Sequence, residues 1–110
     1  ILRRLQTCSA CVCYNDEIAH LVTEQCLQAG IRIPDDLSLV SVDNSELAKL
    51  NAVPLTSVIH PLEALGEKVA ENLLRLIAVR ECDATFEFAP QIEERASVLP
   101  TVSAAQSNNQ

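Results

Sequence analysis

Short apolar segments that alternate with helical patterns limit most strongly what this chain can fold into. The segments "ACVCY" (10–14), "LSLVSV" (37–42) and "LTSVI" (55–59) are continuous apolar runs of strand length. Such runs are typical of strands covered on both faces, and the third run fits an extended connection as well. Strands that alternate with helices predict an α/β fold, in which a parallel sheet is flanked by helices and joined by right-handed crossovers.

The helical segments carry recognisable start and stop signals. Asn15 is a typical N-cap with two acidic residues after it, and Gly30 stands where a left-handed glycine ends a helix. A short helix is predicted within 43–50. A longer amphipathic helix follows Pro61, with an apolar stripe over 62–78.

The two ends of the chain have weaker patterns. Residues 1–7 predict the last turn of a helix, and 85–97 predict an alternating strand that Pro90 interrupts. Residues 101–110 are small, polar and unpatterned, so we expect a disordered tail after one folded unit over 1–100. Because the sequence lacks methionine, we expect that it is a fragment of a longer protein.

Composition and charge exclude several classes of protein. The 110 residues, 48% of them hydrophobic, suffice for one domain. A net charge of -7 argues against a nucleic-acid-binding surface on this chain. No apolar run approaches the roughly 20 residues that span a bilayer, and no signal-peptide pattern opens the chain. We therefore expect a cytoplasmic protein without a membrane partner.

The cysteines indicate packing rather than chemistry. They are an odd set of five: Cys8, Cys11, Cys13, Cys26 and Cys82. A zinc ribbon or finger needs a second close pair, which these spacings lack. We interpret them as reduced thiols that serve as small hydrophobic side chains, with a metal or redox role as the alternative. No metal site and no cofactor are predicted.

Polar side chains follow each predicted strand directly, where open parallel sheets bind their ligands. Tyr14, Asn15 and Asp16 stand at the end of the first strand, Asp43 and Asn44 at the end of the second and His60 at the end of the third, while Glu17 lies in the first helical turn. A carboxylate such as that of Asp43 accepts two hydroxyl hydrogen bonds, as sugars require. The predicted ligand site consists of Tyr14, Asn15, Glu17, Asp43 and His60. The alternatives are a pure N-cap for Asn15, a turn former for Asp43 and a loop histidine for His60.

Catalytic motifs are absent from the sequence. It has no G-x-S-x-G elbow, P-loop or G-x-G-x-x-G, and Gly30 and Gly66 are too few for a phosphate cradle. Nothing near Cys13 activates its thiol, and His20 is interpreted as a surface or packing histidine. We therefore expect no catalytic residues and no enzymatic activity.

Two longer segments carry a family resemblance. They are "CYNDEIAHLVTEQCLQAGIRIPDDLSLVSVDNSELA" and "PLTSVIHPLEALGEKVAENLLRLI". Together they resemble the effector-binding domain of the lactose/galactose repressor family, over about residues 8–99. The "CYNDEIA" opening and the "HP" after "PLTSVI" look most like the arabinose-responsive branch of that family.

The resemblance implies a periplasmic-binding-protein-like fold, with a sugar held between two α/β subdomains. It places this chain in the C-terminal part of that domain: roughly the later half of the C-terminal subdomain, a crossover near 55–61, and a helix over 62–78 that packs in the N-terminal subdomain. Asn15 and Asp43 match sugar-hydroxyl ligands of the family, and His60 matches a hinge-side residue. The family also implies a homodimer that contacts DNA through an N-terminal domain outside this chain.

One motif departs from the family pattern. The usual G-[FY]-D-D is "SVDN" here, so that Ser41, Val42 and Asn44 replace glycine, the aromatic residue and the second acid. These departures bear on the identity of the effector more than on the fold.

The function predicted from the sequence is the effector-binding and dimerisation portion of a transcriptional repressor that responds to L-arabinose or a similar sugar. One alternative is a periplasmic sugar-binding component of a transporter, which shares the fold. Another is an interaction module whose ligand site has decayed. The cysteines and the "IRIPDDLSLV" segment favour the repressor.

Overall fold

A computed structural model describes residues 2–83 and 85–100 of the chain. The elements are α1 (Leu2–Leu5), β1 (Ala10–Val12), α2 (Asp16–Gln28), β2 (Ser38–Val42), α3 (Glu46–Leu50), β3 (Thr56–Ile59), α4 (Leu62–Val79) and β4 (Gln91–Glu93). All three predicted helices after Asn15 are confirmed, as is the short helix at the start of the chain. The tail predicted over 101–110 lies outside the described residues.

The four strands form one sheet in the order β1-β2-β3-β4. β2 runs parallel to both β1 and β3, and Ser41 lies directly opposite Ser57 in the register of β2 and β3. The predicted α/β fold with parallel strands is thus confirmed for β1 to β3, and the third apolar run is a strand. β4 pairs antiparallel with β3 at the edge of the sheet.

The strand predicted over 85–97 is wrong for most of its length, since only Gln91–Glu93 pairs with the sheet. Phe86 and Phe88 alternate in sequence as strand residues do. Their rings instead contact each other edge to face, with centroids 5.8 Å apart. Phe88 also lines a groove beside Leu74 of α4. Phe86 and Phe88 therefore pack on each other outside the sheet, and sheet pairing begins only after Pro90.

Both predicted ends of α2 are confirmed. The Asn15 side chain accepts a hydrogen bond from the N–H of Ile18 at 2.9 Å, which satisfies one of the free donors of the first turn. After the helix, Gly30 adopts a φ of +71°, the left-handed conformation that glycine takes without steric cost. The helix therefore begins directly after β1, beside the carboxyl edge of the sheet.

The core lies between α2 and the sheet. One cluster consists of Cys13, Ala19, Leu39, Ala48 and Leu55, and a second of Leu5, Cys26 and Leu37. Burial is the main reason that the pKa of the Cys13 thiol rises to about 12, with neighbouring cysteines adding to the effect. A thiol with so high a pKa stays protonated and packs as a small apolar group. The interpretation of the cysteines as packing residues holds for Cys13 and Cys26, whereas Cys8 and Cys82 are exposed.

A residue near the end of the described chain connects β2 to β3. The buried hydroxyl of Ser97 donates to the carbonyl oxygen of Leu39 and accepts from the N–H of Thr56 at 2.8 Å. The Ser97 carbonyl oxygen accepts from the N–H of Leu39 at 2.7 Å. Ser97 thus joins Leu39 of β2 to Thr56 of β3 where the pairing of these two strands begins.

Helix α4 presents most of its apolar side chains to solvent. The exposed stripe, called the α4 stripe below, consists of Leu62, Leu65, Val69, Leu73, Leu76 and Ile77. Asn72 is the only buried residue of this helix. The apolar stripe predicted over 62–78 therefore exists, and within the described chain it lies outside the core.

Candidate functional site

The carboxyl edge of β1, β2 and β3 carries the polar residues predicted from the sequence. Asp43 follows β2 and His60 follows β3, and their Oδ1 and Nε2 atoms lie 3.7 Å apart. Both side chains are about half exposed, at 52% and 48%, so that a ligand can reach them. The structure thus brings together two of the five predicted residues in one accessible pair.

The other three predicted residues lie at the start of α2. Asn15 caps the helix with its amide oxygen alone, and the cap does not use its two N–H donors. Tyr14 is 87% exposed, and Glu17 is exposed in the first turn. Within the described chain, no hydrogen bond or ion pair joins Tyr14 or Glu17 to the Asp43–His60 pair.

The loop that carries Asp43 has an unusual backbone. Asp43 and Asn44 have φ angles of +102° and +52°, in the left-handed region that side-chain-bearing residues rarely adopt. The Asp43 N–H donates to the carbonyl of Val58 at 3.0 Å, and the Asn44 side-chain oxygen accepts from Arg95 at 2.6 Å. Such a conformation costs on the order of 1–3 kcal/mol and persists at sites where surrounding contacts hold it.

The burial of the Asp16 carboxylate is the main feature that the sequence did not reveal. Asp16 is 2% exposed. Its Oδ1 accepts from the hydroxyls of Ser41 and Ser57 at 2.5 and 2.9 Å. Its Oδ2 accepts from the N–H and the hydroxyl of Ser45 at 2.7 and 2.8 Å. All four contacts come from elements other than α2.

These contacts set the charge of Asp16. Burial raises the pKa of the carboxyl, but the hydrogen bonds from Ser41, Ser45 and Ser57 together outweigh it and leave the pKa below its ordinary value. Asp16 is therefore ionised at neutral pH. The signals available in the sequence were Ser41 and Ser57, each inside an apolar run, and Ser45, three residues after the first of these runs.

The departures from the family pattern take part in this network. The hydroxyl of Ser41, which is fully buried, donates to Asp16, and a glycine at that position would supply no donor. Asn44 accepts from Arg95, which also donates to the carbonyl of Leu55 at 2.8 Å. Ser41 and Asn44, which depart from the family pattern, thus both have hydrogen-bond partners elsewhere in the fold.

Other candidate features lie away from this edge. His20 Nδ1 lies 2.8 Å from Asn51 Oδ1 in a partly buried pair, which confirms its interpretation as a packing histidine. Within residues 2–83 and 85–100, no group of three or more His, Cys, Asp or Glu side chains could hold a metal ion. Across the same residues, every helix is too short or too polar to span a bilayer.

An open groove of about 530 Å³ lies between α1 and α2. Aliphatic side chains provide most of its lining, among them Leu2, Leu5, Ile18, Leu21 and Val22. Arg3 and Gln25 are its polar lining residues, and a sugar site needs a larger set of polar groups that converge on the ligand. The strand ends are therefore the better candidate for a ligand site.

Comparison with known proteins gives the class of this domain. Residues 2–98 match the family described as periplasmic binding protein-like domain. An arabinose metabolism transcriptional repressor of Geobacillus stearothermophilus is 41% identical over 75 residues, which are 68% of this chain and 21% of that protein. The HTH-type transcriptional repressor PurR of Vibrio cholerae is 40% identical over 91 residues, 82% of this chain and 27% of that protein.

Solved structures of transcriptional regulators also resemble this fold. A complex of the transcriptional regulator CelR with cellobiose has a TM-score of 0.80 at 25% identity, covering 87% of this chain and 30% of that one. A LacI family transcriptional regulator from Enterococcus faecium with bound ribose has a TM-score of 0.69 at 28% identity, covering 84% and 35%.

The chain belongs to the periplasmic binding protein-like domain family. Within that family it is an effector-binding domain segment of the LacI, or lactose/galactose repressor, type, which confirms the resemblance found in the sequence. The chain spans between 21% and 35% of the length of the relatives named here.

Proposed function

We propose that this chain forms the effector-binding part of a sugar-responsive transcriptional repressor in the cytoplasm, with L-arabinose as its effector. The observation that carries the proposal is the accessible Asp43–His60 pair at the carboxyl edge of the parallel strands. The Asn15 cap stands after β1, at the start of α2. The relatives named as repressors, one of them of arabinose metabolism, support this role over a transporter component.

The proposed site has the donors and acceptors that a neutral sugar needs. The Asp43 carboxylate accepts hydrogen bonds from two neighbouring hydroxyls, and Asn15 donates from its amide nitrogen. His60, 3.7 Å from Asp43, bonds a further hydroxyl of the sugar. Tyr14 offers an exposed ring with an apolar face, and Glu17 accepts a hydroxyl at the rim.

We propose that residues 1–100 are one part of a longer effector-binding domain. The rest of that domain supplies the opposite wall of the cleft and covers the α4 stripe, as the resemblance implies. Sugar binding then closes the cleft by binding one of two states more tightly, because only differential affinity shifts such an equilibrium. An N-terminal domain outside this chain contacts the DNA.

The groove between α1 and α2 is the proposed dimer contact. It joins Ile18 and Leu21, which are 44% and 59% exposed, to the side chain of Leu2. Exposed apolar surface of this kind marks protein interfaces, and a two-fold dimer suits a repressor that reads two half-sites. Sedimentation of the complete repressor tests this: Leu21→Glu converts the dimer to monomer, and an unchanged dimer overturns the assignment.

Calorimetric titration of the complete repressor with L-arabinose, D-ribose and cellobiose tests the sugar site. Asp43→Ala weakens binding of the preferred sugar by about 1.5–3 kcal/mol, roughly 10- to 150-fold, because a charged hydrogen-bond acceptor is lost. The matched control is Asp35→Ala, an exposed aspartate in the turn before β2, which keeps the affinity of the wild type. An unchanged Kd for Asp43→Ala, or no heat with any sugar from the folded protein, overturns the proposal.

A further inference from the structure

We propose that Asp16 is a positioning residue: its buried carboxylate, through Ser57 and Ser45, fixes the loop of residues 43–45 and with it the direction of the Asp43 side chain. That Asp16 holds this loop follows from hydrogen bonds among the described residues. The consequence for sugar affinity rests on the function proposed above.

The first step is the placement of the carboxylate. Ser41 and Ser57 lie opposite each other in the register of β2 and β3, and both are fully buried. Both donate to the same oxygen of Asp16, so that this one side chain joins the first turn of α2 to two strands. Asp16 directly follows Asn15, and the helix start that presents Asn15 is therefore fastened to the sheet.

The second step leads from Asp16 to the loop. The Ser57 hydroxyl donates to Asp16 and accepts from the N–H of Asn44 at 3.0 Å. The N–H of Ser45 donates to Asp16 directly at 2.7 Å. Two consecutive N–H groups after Asp43 therefore end on the Asp16 carboxylate, one through a hydroxyl and one without an intermediary.

The third step is that this loop needs such a restraint. Asp43 and Asn44 hold φ angles of +102° and +52° without being glycine. Released from its hydrogen bonds, a side-chain-bearing residue returns to negative φ, and the Asp43 carboxylate then points elsewhere. A buried ionised carboxylate is a costly way to stabilise a core, since apolar residues of similar volume often do so as well. Its contacts are explained better by the geometry of the strand-end loop.

A matched pair of variants separates positioning from general stability. Ser57→Ala removes the hydroxyl that bridges Asp16 to the loop. Thr23→Val removes another fully buried hydroxyl, which donates to the carbonyl of Ala19 at 2.8 Å and accepts from Asn51 Nδ2 at 3.0 Å, away from the 43–45 loop. Both variants keep the side-chain volume close to that of the wild type, and both are milder than Asp16→Ala, which leaves several donors unsatisfied.

Amide hydrogen exchange, measured by NMR on the full chain, gives the first readout. Ser57→Ala accelerates exchange at the Asn44 amide by about tenfold or more relative to the core amide of Leu39, since its hydrogen-bond acceptor is gone. Thr23→Val leaves the ratio of these two amides as in the wild type. Equal acceleration at both amides in Ser57→Ala, or no acceleration at Asn44, overturns the positioning role.

Sugar affinity in the complete repressor gives the second readout, with the panel sugar that the wild type binds. Ser57→Ala weakens binding about tenfold, whereas Thr23→Val leaves it within about twofold. Faster exchange at Asn44 with unchanged affinity overturns the link to Asp43. If the wild type binds no sugar, the proposed function fails by itself, and the exchange ratio still decides whether Asp16 positions the loop.

Discussion

The region from β1 to β3 and the helix α4 differ in how far their apolar side chains are buried and their buried polar groups are hydrogen-bonded. In the first region, Leu37, Leu39 and Leu55 are fully buried, and the buried carboxylate of Asp16 has four hydrogen-bond donors. In α4, the apolar stripe faces solvent. The side-chain nitrogen of Asn72 is buried without a hydrogen-bond partner in the described chain.

This difference teaches which part of the fold is complete within the chain. The region from β1 to β3 contains every donor of the Asp16 network and most of its core residues, and Leu5 and Ser97 complete its buried contacts from outside. Helix α4 contributes one apolar surface and exposed ion pairs from Lys68 and Arg75 to Asp83. An amphipathic helix gains most of its stability from burial of its apolar face, so α4 needs a partner surface.

The largest expected contrast comes from one leucine in each region. Leu39→Ala removes a fully buried side chain and lowers the free energy of unfolding by about 2–5 kcal/mol. Leu73→Ala, at a side chain that is 55% exposed, changes it by less than about 0.5 kcal/mol. Urea denaturation followed by circular dichroism measures both. Similar losses for the two variants would contradict the comparison.

Acid provides the next test, through Asp16. Its folded-state pKa lies below that of the unfolded chain, which is about 3.9, so Asp16 stabilises the fold above that pH. As the pH falls through the lower folded-state pKa, this contribution is lost. Asp16→Asn therefore costs roughly 1–3 kcal/mol at pH 7, and the gap from the wild type shrinks below about pH 4. Urea midpoints between pH 7 and pH 3 measure this difference in unfolding free energy. A difference that does not change with pH would mean that the charge of Asp16 does not stabilise the fold.

A charge placed within the α4 stripe tests whether this exposed surface makes contacts between chains. Exposed apolar stripes promote association, and loss of one leucine from such a contact weakens it by about 1.5 kcal/mol or more, roughly tenfold. Leu73→Glu therefore reduces self-association of the chain, as measured by sedimentation at increasing concentration. Glu67→Gln, an exposed change on the polar face of the same helix, is the control and leaves association unaltered. Equal association of both variants would mean that the stripe makes no contact.

The smallest effect is expected for the ion pair between Lys68 and Asp83, whose atoms are 3.2 Å apart. Exposed pairs contribute little because solvent screens them and two long side chains must be ordered. Lys68→Ala therefore leaves the urea midpoint unchanged. A clear downward shift would mean that the segment after α4 stabilises the helix more than its exposure indicates.

Much of the fold was predictable because its local signals are strong. Asn15 and Gly30 mark the ends of α2 through capping chemistry that depends on neighbouring backbone groups alone. Asp43 and His60 were expected to meet because parallel strands place their carboxyl ends at one edge, and they lie 3.7 Å apart. The family resemblance gave the fold on a larger scale.

The buried network was not predictable from local signals. Asp16 and Glu17 are both acids in the first turn of α2, and both suit the helix dipole equally. One is 2% exposed and the other is exposed, because only the packing of β2 and β3 opposite α2 distinguishes them. The strand prediction over 85–97 was wrong for a similar reason, since Phe86 and Phe88 contact each other rather than a neighbouring strand.

The bridge made by Ser97 has a consequence for the timing of synthesis. Ser97 lies 58 residues after Leu39 and 41 residues after Thr56, the two residues that its hydroxyl contacts. At about 5–20 residues per second, a ribosome takes on the order of 2–12 s to reach Ser97 after those positions are made. During that interval β2 and β3 lack the residue that joins them at Leu39 and Thr56. The nascent chain thus carries an unfinished sheet, which is the stage at which chaperone binding or strand mispairing competes with folding.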